Sequence, residues 1–216
     1  MPAPHTVALF AAAALALLLI PGPAVLYIVT RSVTQGRRAG FVSVLGIHAG
    51  TLVHVAAAAL GVSAVLARSS TAFHAVKYAG AAYLVFLGIR RLLTRVPDEA
   101  SAGALEIVPN RQLFVNGAVV NILNPKTALF FLAFLPQFVD PARGSVSLQV
   151  VVLGALFVGI GLCSDSTYAL LASRFGTWLR TSRSFRHGQR YVAGGIYVGL
   201  GVTAALAGAK TTSASS

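Results

Sequence analysis

Six stretches of this chain are long and apolar enough to cross a lipid bilayer: roughly 7–30, 41–66, 72–89, 113–135, 148–172 and 191–209. A crossing helix needs about 20 mostly apolar residues, because backbone polar groups in hydrocarbon must find their partners within the segment. Little chain is left over to build anything else. Only 10% of the 216 residues are charged, against about 25% in a soluble domain. That is too little charge to coat a water-facing surface, and the mean hydropathy of +0.77 agrees. The expected fold class is an all-α integral membrane protein with six transmembrane helices. A single cysteine, Cys163, excludes a disulfide framework and every multi-cysteine metal motif.

A formal net charge of +12 would suit a nucleic-acid partner, but no polar fold is available to carry such a site. The placement of the charge explains it better. The first connection holds Arg31, Arg37 and Arg38, the third Arg90, Arg91, Arg95 and Arg111, and the fifth Arg174, Arg180, Arg183, Arg186 and Arg190. Only Arg68, Lys77, Arg143 and Lys210 fall on the other side. By the positive-inside rule the odd connections are cytoplasmic and both termini lie outside. The first span lacks a basic leader, and IPGPAV is a poor cleavage site, so it reads as a retained helix rather than a signal peptide. In the fifth connection Phe175, Trp178, Leu179 and Phe185 lie among arginines, the pattern of an interfacial segment on the inner leaflet. The third connection, 94–112, carries Pro97, Gly103, Pro109 and three of the five acids, and reads as a linker between 7–93 and 113–209.

Those two halves resemble each other. GAAYLVFLG at 80–88 matches GGIYVGLGV at 194–202, with glycine three residues before tyrosine in both. IPGPAVL at 20–26 matches ILNPKTAL at 122–129, each an apolar run interrupted by a small or polar residue and then proline. Each half has three crossings, an odd number, so the second runs through the bilayer inverted relative to the first. Inverted repeats with helices broken at corresponding places are a secondary-transporter architecture.

The breaks themselves carry the chemistry. Proline cannot donate to the preceding turn but is well suited to start a new helix. Gly22 before Pro23 and Asn124 before Pro125 are acceptable N-caps. Each break would then leave free N–H groups and a positive dipole end within the bilayer. With the Lys126 ammonium they would form a site for an anion such as a carboxylate. The plainer reading is a packing kink with Lys126 tethered to a carbonyl or to Asp165. An intramembrane lysine costs about 2.5–3.5 kcal/mol to insert, which favours a cavity or a partner over lipid.

Asp165 is the only acid inside a span. It shares a helical face with Gly154, Gly161 and Ala172, so it points towards close helix neighbours. It could receive a substrate ammonium or carry a coupling proton; its structural alternative is an ion pair with Lys126. His48 and His54 lie about 120° apart around the second helix and are poorly placed to share a metal. His54 falls on a face with Gly46, Gly50 and Gly61, and could be a hydrogen-bonded structural residue or a proton-coupling candidate beside Asp165. His5, His74 and His187 lie at span ends and carry no signal.

LIPGPAVLYIVTRSVTQGRRAG at 19–40, KYAGAAYLVFLGIR at 77–90 and NILNPKTALFFLAFLPQFVDP at 121–141 together resemble the LysE/RhtB family of bacterial amino-acid exporters, over nearly the whole chain. The resemblance implies secondary-active efflux of amino acids or related small metabolites across the inner membrane, driven by the proton or another ion gradient. Residues carried over by match are Pro21, Gly22, Pro23, Gly36, Gly40, Asn121, Asn124, Pro125, Lys126, Pro136 and Gln137. This adds Asn121 to a substrate-binding set of Gly22, Pro23, Asn124, Pro125, Lys126 and Asp165. Many members have an acid in the second helix where Thr51 stands here, a departure that counts against a two-carboxylate mechanism and a cationic substrate.

Other classes fit less well. No G-x-x-x-x-G-K-[ST] loop supports an ATP-driven pump. A thiol relay needs more than Cys163, and no polar cluster suggests an enzyme, so no catalytic residue, metal ligand or cofactor is assigned. A divalent-metal or other small-metabolite exporter of related fold is the alternative, though one acid, two histidines on different faces and one thiol make a thin ligand set. The expected partners are an amino-acid-like solute, a proton and the lipid bilayer, with no nucleic acid; a homo-oligomer is compatible with the sequence. The orientation is testable with reporter fusions. A periplasmic phosphatase should be active at the C-terminus and a fluorescent protein should fold when inserted within 94–112; the reverse pattern would overturn the assigned sidedness.

Overall fold

The computed structural model describes residues 2–68 and 107–181, with positions 82, 85, 86, 89, 93, 198 and 202. The expected third and sixth spans, most of the linker and most of the fifth connection lie outside the described residues, as does the comparison of 80–88 with 194–202. The described elements are all helical, with no strand among them.

Helix α1, Pro4–Leu18, begins with proline at its first position, where no backbone donor is needed. It winds down through Leu19 and Ile20, whose N–H groups reach back to the carbonyls of Leu15 and Leu17. Pro21 has no N–H to continue the ladder. Pro23 then opens a helical run to Arg68 that changes direction at Gly36, where φ is 83° and ψ is −178°. Only glycine tolerates that backbone region. The run is therefore two helices, α2 (residues 23–35) and α3 (residues 37–68). The sequence places the first connection at 31–40; the chain stays helical there on both sides of one glycine, and arginine is a good helix former.

Helix α4, Asn110–Ile122, stops at Leu123 and Asn124, and α5, Pro125–Leu129, starts at the second proline break. Its path continues as a π turn over Phe130–Phe134 and a 3-10 turn over Leu135–Phe138. A short turn at Pro141–Arg143 leads into α6, Val146–Thr181. Pro23–Gly61 and Val146–Phe175 are each long and apolar enough to cross a membrane. Asn110–Ile122 and Pro125–Phe138, bent by 48°, qualify together as one broken span.

Glycine sets how closely α3 meets its neighbours. On one side, Gly46 of α3 lies against the backbone of Phe114 in α4, Gly50 against Ala118, Asn121 and Ile122, and Gly117 of α4 against Ser43 and Ile47. Small residues let membrane helices approach until backbones touch. On the other side, Gly154 and Gly161 of α6 receive Val55 and His48. A separate apolar core gathers Phe10, Phe130, Phe131, Phe134 and Phe157 between α1, the π turn and α6, with ring centroids of Phe130 and Phe157 4.8 Å apart. Many leucines on the outer faces are exposed, among them Leu60 at 76% and Leu123 at 74%, as suits a surface in contact with lipid tails.

A methyl group at Gly46 would overlap the Phe114 carbonyl, and overpacking of this kind costs about 1–3 kcal/mol. Gly46→Ala should lower the unfolding midpoint in detergent by several degrees. Gly61→Ala, where no atom lies within 4 Å, should leave it unchanged.

Candidate functional site

Both helix breaks and the long helices α3 and α6 border one interior cavity. Asn121, Asn124, Lys126 and Thr127 line it from α4 and α5, Gly22, Ala24 and Val25 from the first break, and Leu17 and Leu18 from α1. Ile47, His48 and Thr51 of α3 and Phe157 and Asp165 of α6 complete it. Its volume is about 20 Å³, room for roughly one water molecule. An amino acid does not fit until the surrounding helices part.

Asn121 organises the polar side. Its Nδ2 donates to the Ile47 carbonyl at 2.9 Å and to the Thr51 hydroxyl at 2.8 Å. Its Oδ1 accepts from Asn124 Nδ2 at 3.2 Å and from the Thr127 hydroxyl at 2.9 Å. Asn124 in turn caps α5: its Oδ1 accepts from the Lys126 backbone N–H at 3.1 Å, the arrangement that makes asparagine a good N-cap. One amide thus ties α3, α4 and the start of α5 together, with all of its hydrogen-bonding capacity in use.

Lys126 is 8% exposed. Its ammonium donates to the carbonyl of Ile20, just beyond the end of α1, and its aliphatic stem passes Gly22, where an added Cβ would lie 3.3 Å from Lys126 Cδ. The neighbouring Leu19 carbonyl accepts from the Tyr168 hydroxyl at 2.9 Å. The carbonyls released where α1 ends are therefore held by side chains from α5 and α6. Lys126 does not form an ion pair with Asp165; the side chain beside Asp165 is His48, with His48 Nε2 3.1 Å from Asp165 Oδ2. That contact is off the line of a hydrogen bond, and among the described residues neither ring nitrogen of His48 has a hydrogen-bonding partner.

The remaining sequence candidates are spread more widely. Pro23 and Pro125 are exposed and shape the breaks without lining the cavity. His54 lies off it: its Nε2 is 3.0 Å from the Asn121 carbonyl and its ring stacks on Phe131. Among the residues matched to the family pattern, Gly36 makes the α2–α3 turn, Gly40 abuts Ser32 and Ala169, and Gln137 donates to the Ala133 carbonyl. His48, Thr51 and Thr127 also line the cavity, although none of them is in the substrate-binding set expected from the sequence. The notch left by Gly161 one helical turn from Asp165 was visible; which neighbour fills it was not. Among the described residues no three His, Cys, Asp or Glu side chains are gathered as a metal site would need.

The LysE type translocator profile matches residues 15–208. The chain belongs to the LysE type translocator family. It is 30% identical to a homoserine/homoserine lactone efflux protein of Salmonella typhimurium, over 78% of this chain and 81% of that one. It is 26% identical to a leucine efflux protein of Salmonella choleraesuis, over 86% and 88%. An uncharacterized membrane protein of Vibrio cholerae is 30% identical over 88% of this translocator and 91% of its own length. No solved structure matches it.

Removing the Asn121 side chain would strand the Asn124 amide and the Thr127 hydroxyl, each at about 1–3 kcal/mol when buried. Asn121→Ala in this translocator should lower the detergent unfolding midpoint more than Thr127→Val does, which removes a single hydroxyl.

Proposed function

We propose that this translocator is a secondary-active exporter of amino acids or closely related small metabolites that carry no net positive charge, moving them out across the bacterial inner membrane. The observation that carries the reading is the burial of opposite charges, Lys126 and Asp165, in one cavity at two helix breaks. Such groups in a bilayer are costly and normally mark a solute or ion path. A zwitterion offers a partner to each. Its carboxylate would take the Lys126 ammonium from the Ile20 carbonyl, and its ammonium would meet Asp165.

Homoserine and leucine, which appear in the names of two of the relatives, are both of this zwitterionic type. A cationic amino acid would need a second acid, and among the described residues Asp165 is the only carboxylate lining the cavity. The closed cavity implies alternating access: solute enters from the cytoplasmic side, the helices close around it, and they open outwards. Two inverted three-helix repeats, 7–93 and 113–209, with both termini outside and a proton as coupling ion, fit this cycle.

Efflux from cells preloaded with dipeptides tests the proposal. The wild type should export one class of neutral amino acid. Lys126→Ala should cut the rate at least about tenfold, since a hydrogen bond to a charged group is worth about 1.5–3 kcal/mol. Unchanged export by a normally inserted Lys126→Ala protein would sink the carboxylate-binding role.

A further inference from the structure

In the substrate-free site, each charge that a zwitterion would meet is already occupied by a group of this chain. The Ile20 carbonyl oxygen stands at Lys126 where a carboxylate oxygen would stand. The His48 imidazole stands beside Asp165 where an ammonium would stand. His48 is 4% exposed, lines the cavity, and presents two ring nitrogens that make no hydrogen bond among the described residues. A buried polar side chain left in this way loses about 1–3 kcal/mol unless something else engages it. A group that alternates between partners has to tolerate that condition in one of its states. Histidine is also the side chain that gains and loses a proton near neutral pH.

We infer that His48 is the proton carrier of the transport cycle, and that its imidazolium and the substrate ammonium occupy Asp165 alternately, one proton for one substrate. The inference rests on the exporter reading above and gives it a stoichiometry. In the outward-open form the substrate leaves, a proton from outside binds His48, and the imidazolium pairs with the vacated Asp165. In the inward-open form the substrate ammonium takes Asp165, the imidazolium loses its counter-charge, and its proton passes to cytoplasmic water. One proton has entered and one zwitterion has left.

The surrounding elements leave few other candidates. Lys126 of α5 shares the cavity and is bonded to the Ile20 carbonyl. Tyr168 of α6, a turn beyond Asp165, donates to the Leu19 carbonyl. His54 of α3 itself faces the Asn121 carbonyl instead. α1, α2 and α4 bring no ionisable side chain to the lining. Gly161 matters for the same reason: a Cβ there would overlap the His48 ring, so the space in which the imidazole sits is kept open by the absence of a side chain on α6.

The test uses the full chain in lipid vesicles, with leucine and homoserine as the solutes and the membrane potential clamped. A pH difference of one unit corresponds to about 1.36 kcal/mol per proton, so one-for-one exchange should hold about a tenfold solute gradient. The wild type should reach that gradient and move protons with the solute. His48→Gln should build no gradient and move no protons with the solute. In detergent, solute binding to the wild type should release a proton, read as a binding heat that varies with the ionisation heat of the buffer; this does not depend on how well the variant folds. A His48→Gln protein that still couples protons to solute, or wild-type binding without proton release, overturns the inference and leaves the exporter reading standing. A wild type that neither binds nor moves either amino acid, while moving some other solute or none, removes the exporter reading and this inference with it.

Discussion

The hydrogen bond from the Lys126 ammonium to the Ile20 carbonyl organises the interior of this protein. A lysine in the hydrocarbon region needs a partner, and a helix that ends there releases carbonyls that need donors. Each defect answers the other. The bond joins the first helix break to the second across 106 positions of sequence, and the apolar core around Phe10, Phe130 and Phe157 closes around the same junction. Without Lys126, the end of α1 would be left with an unsatisfied carbonyl; without the break, Lys126 would have nothing to hold.

The same bond separates two roles that the sequence left joined. A structural tether and a substrate ligand were alternatives for Lys126, but a carbonyl is a partner that a carboxylate can replace at modest energetic difference. On the proposed function, the tether is the empty state of the site. His48 beside Asp165 has the same character, with the added property that its charge depends on a proton.

Much of this was legible in the sequence because the signals were local. Proline announces a helix start, and Gly22–Pro23 and Asn124–Pro125 fall where helices begin. Glycine at helical spacing announces a close face, and Gly46, Gly50, Gly154 and Gly161 all lie at helix contacts. What could not be read was pairing between elements. Asp165 pointed inwards, but nothing in the chain said that His48 and not Lys126 would stand next to it. His54 sat on the face with more glycines and drew attention for that reason, yet that face meets α4, while the plainer His48 turns to α6. The turn at Gly36 was hidden by arginines that suit both a loop and a helix.

The glycine contacts between α3 and α4 also constrain which residues are free to change. Where backbone rests on backbone there is no side chain to exchange for another, so this pair of helices has little room to vary without coming apart. The apolar cavity wall is different: Leu17, Leu18, Val25 and Phe157 meet the cavity through side chains carried on α1, α2 and α6. A change there alters the shape offered to a solute's side chain while the charged positions and the glycine-packed pair stay as they are. On the proposed function, preference for one solute over another can therefore drift by single substitutions on one wall, and a common scaffold can serve many different cargoes.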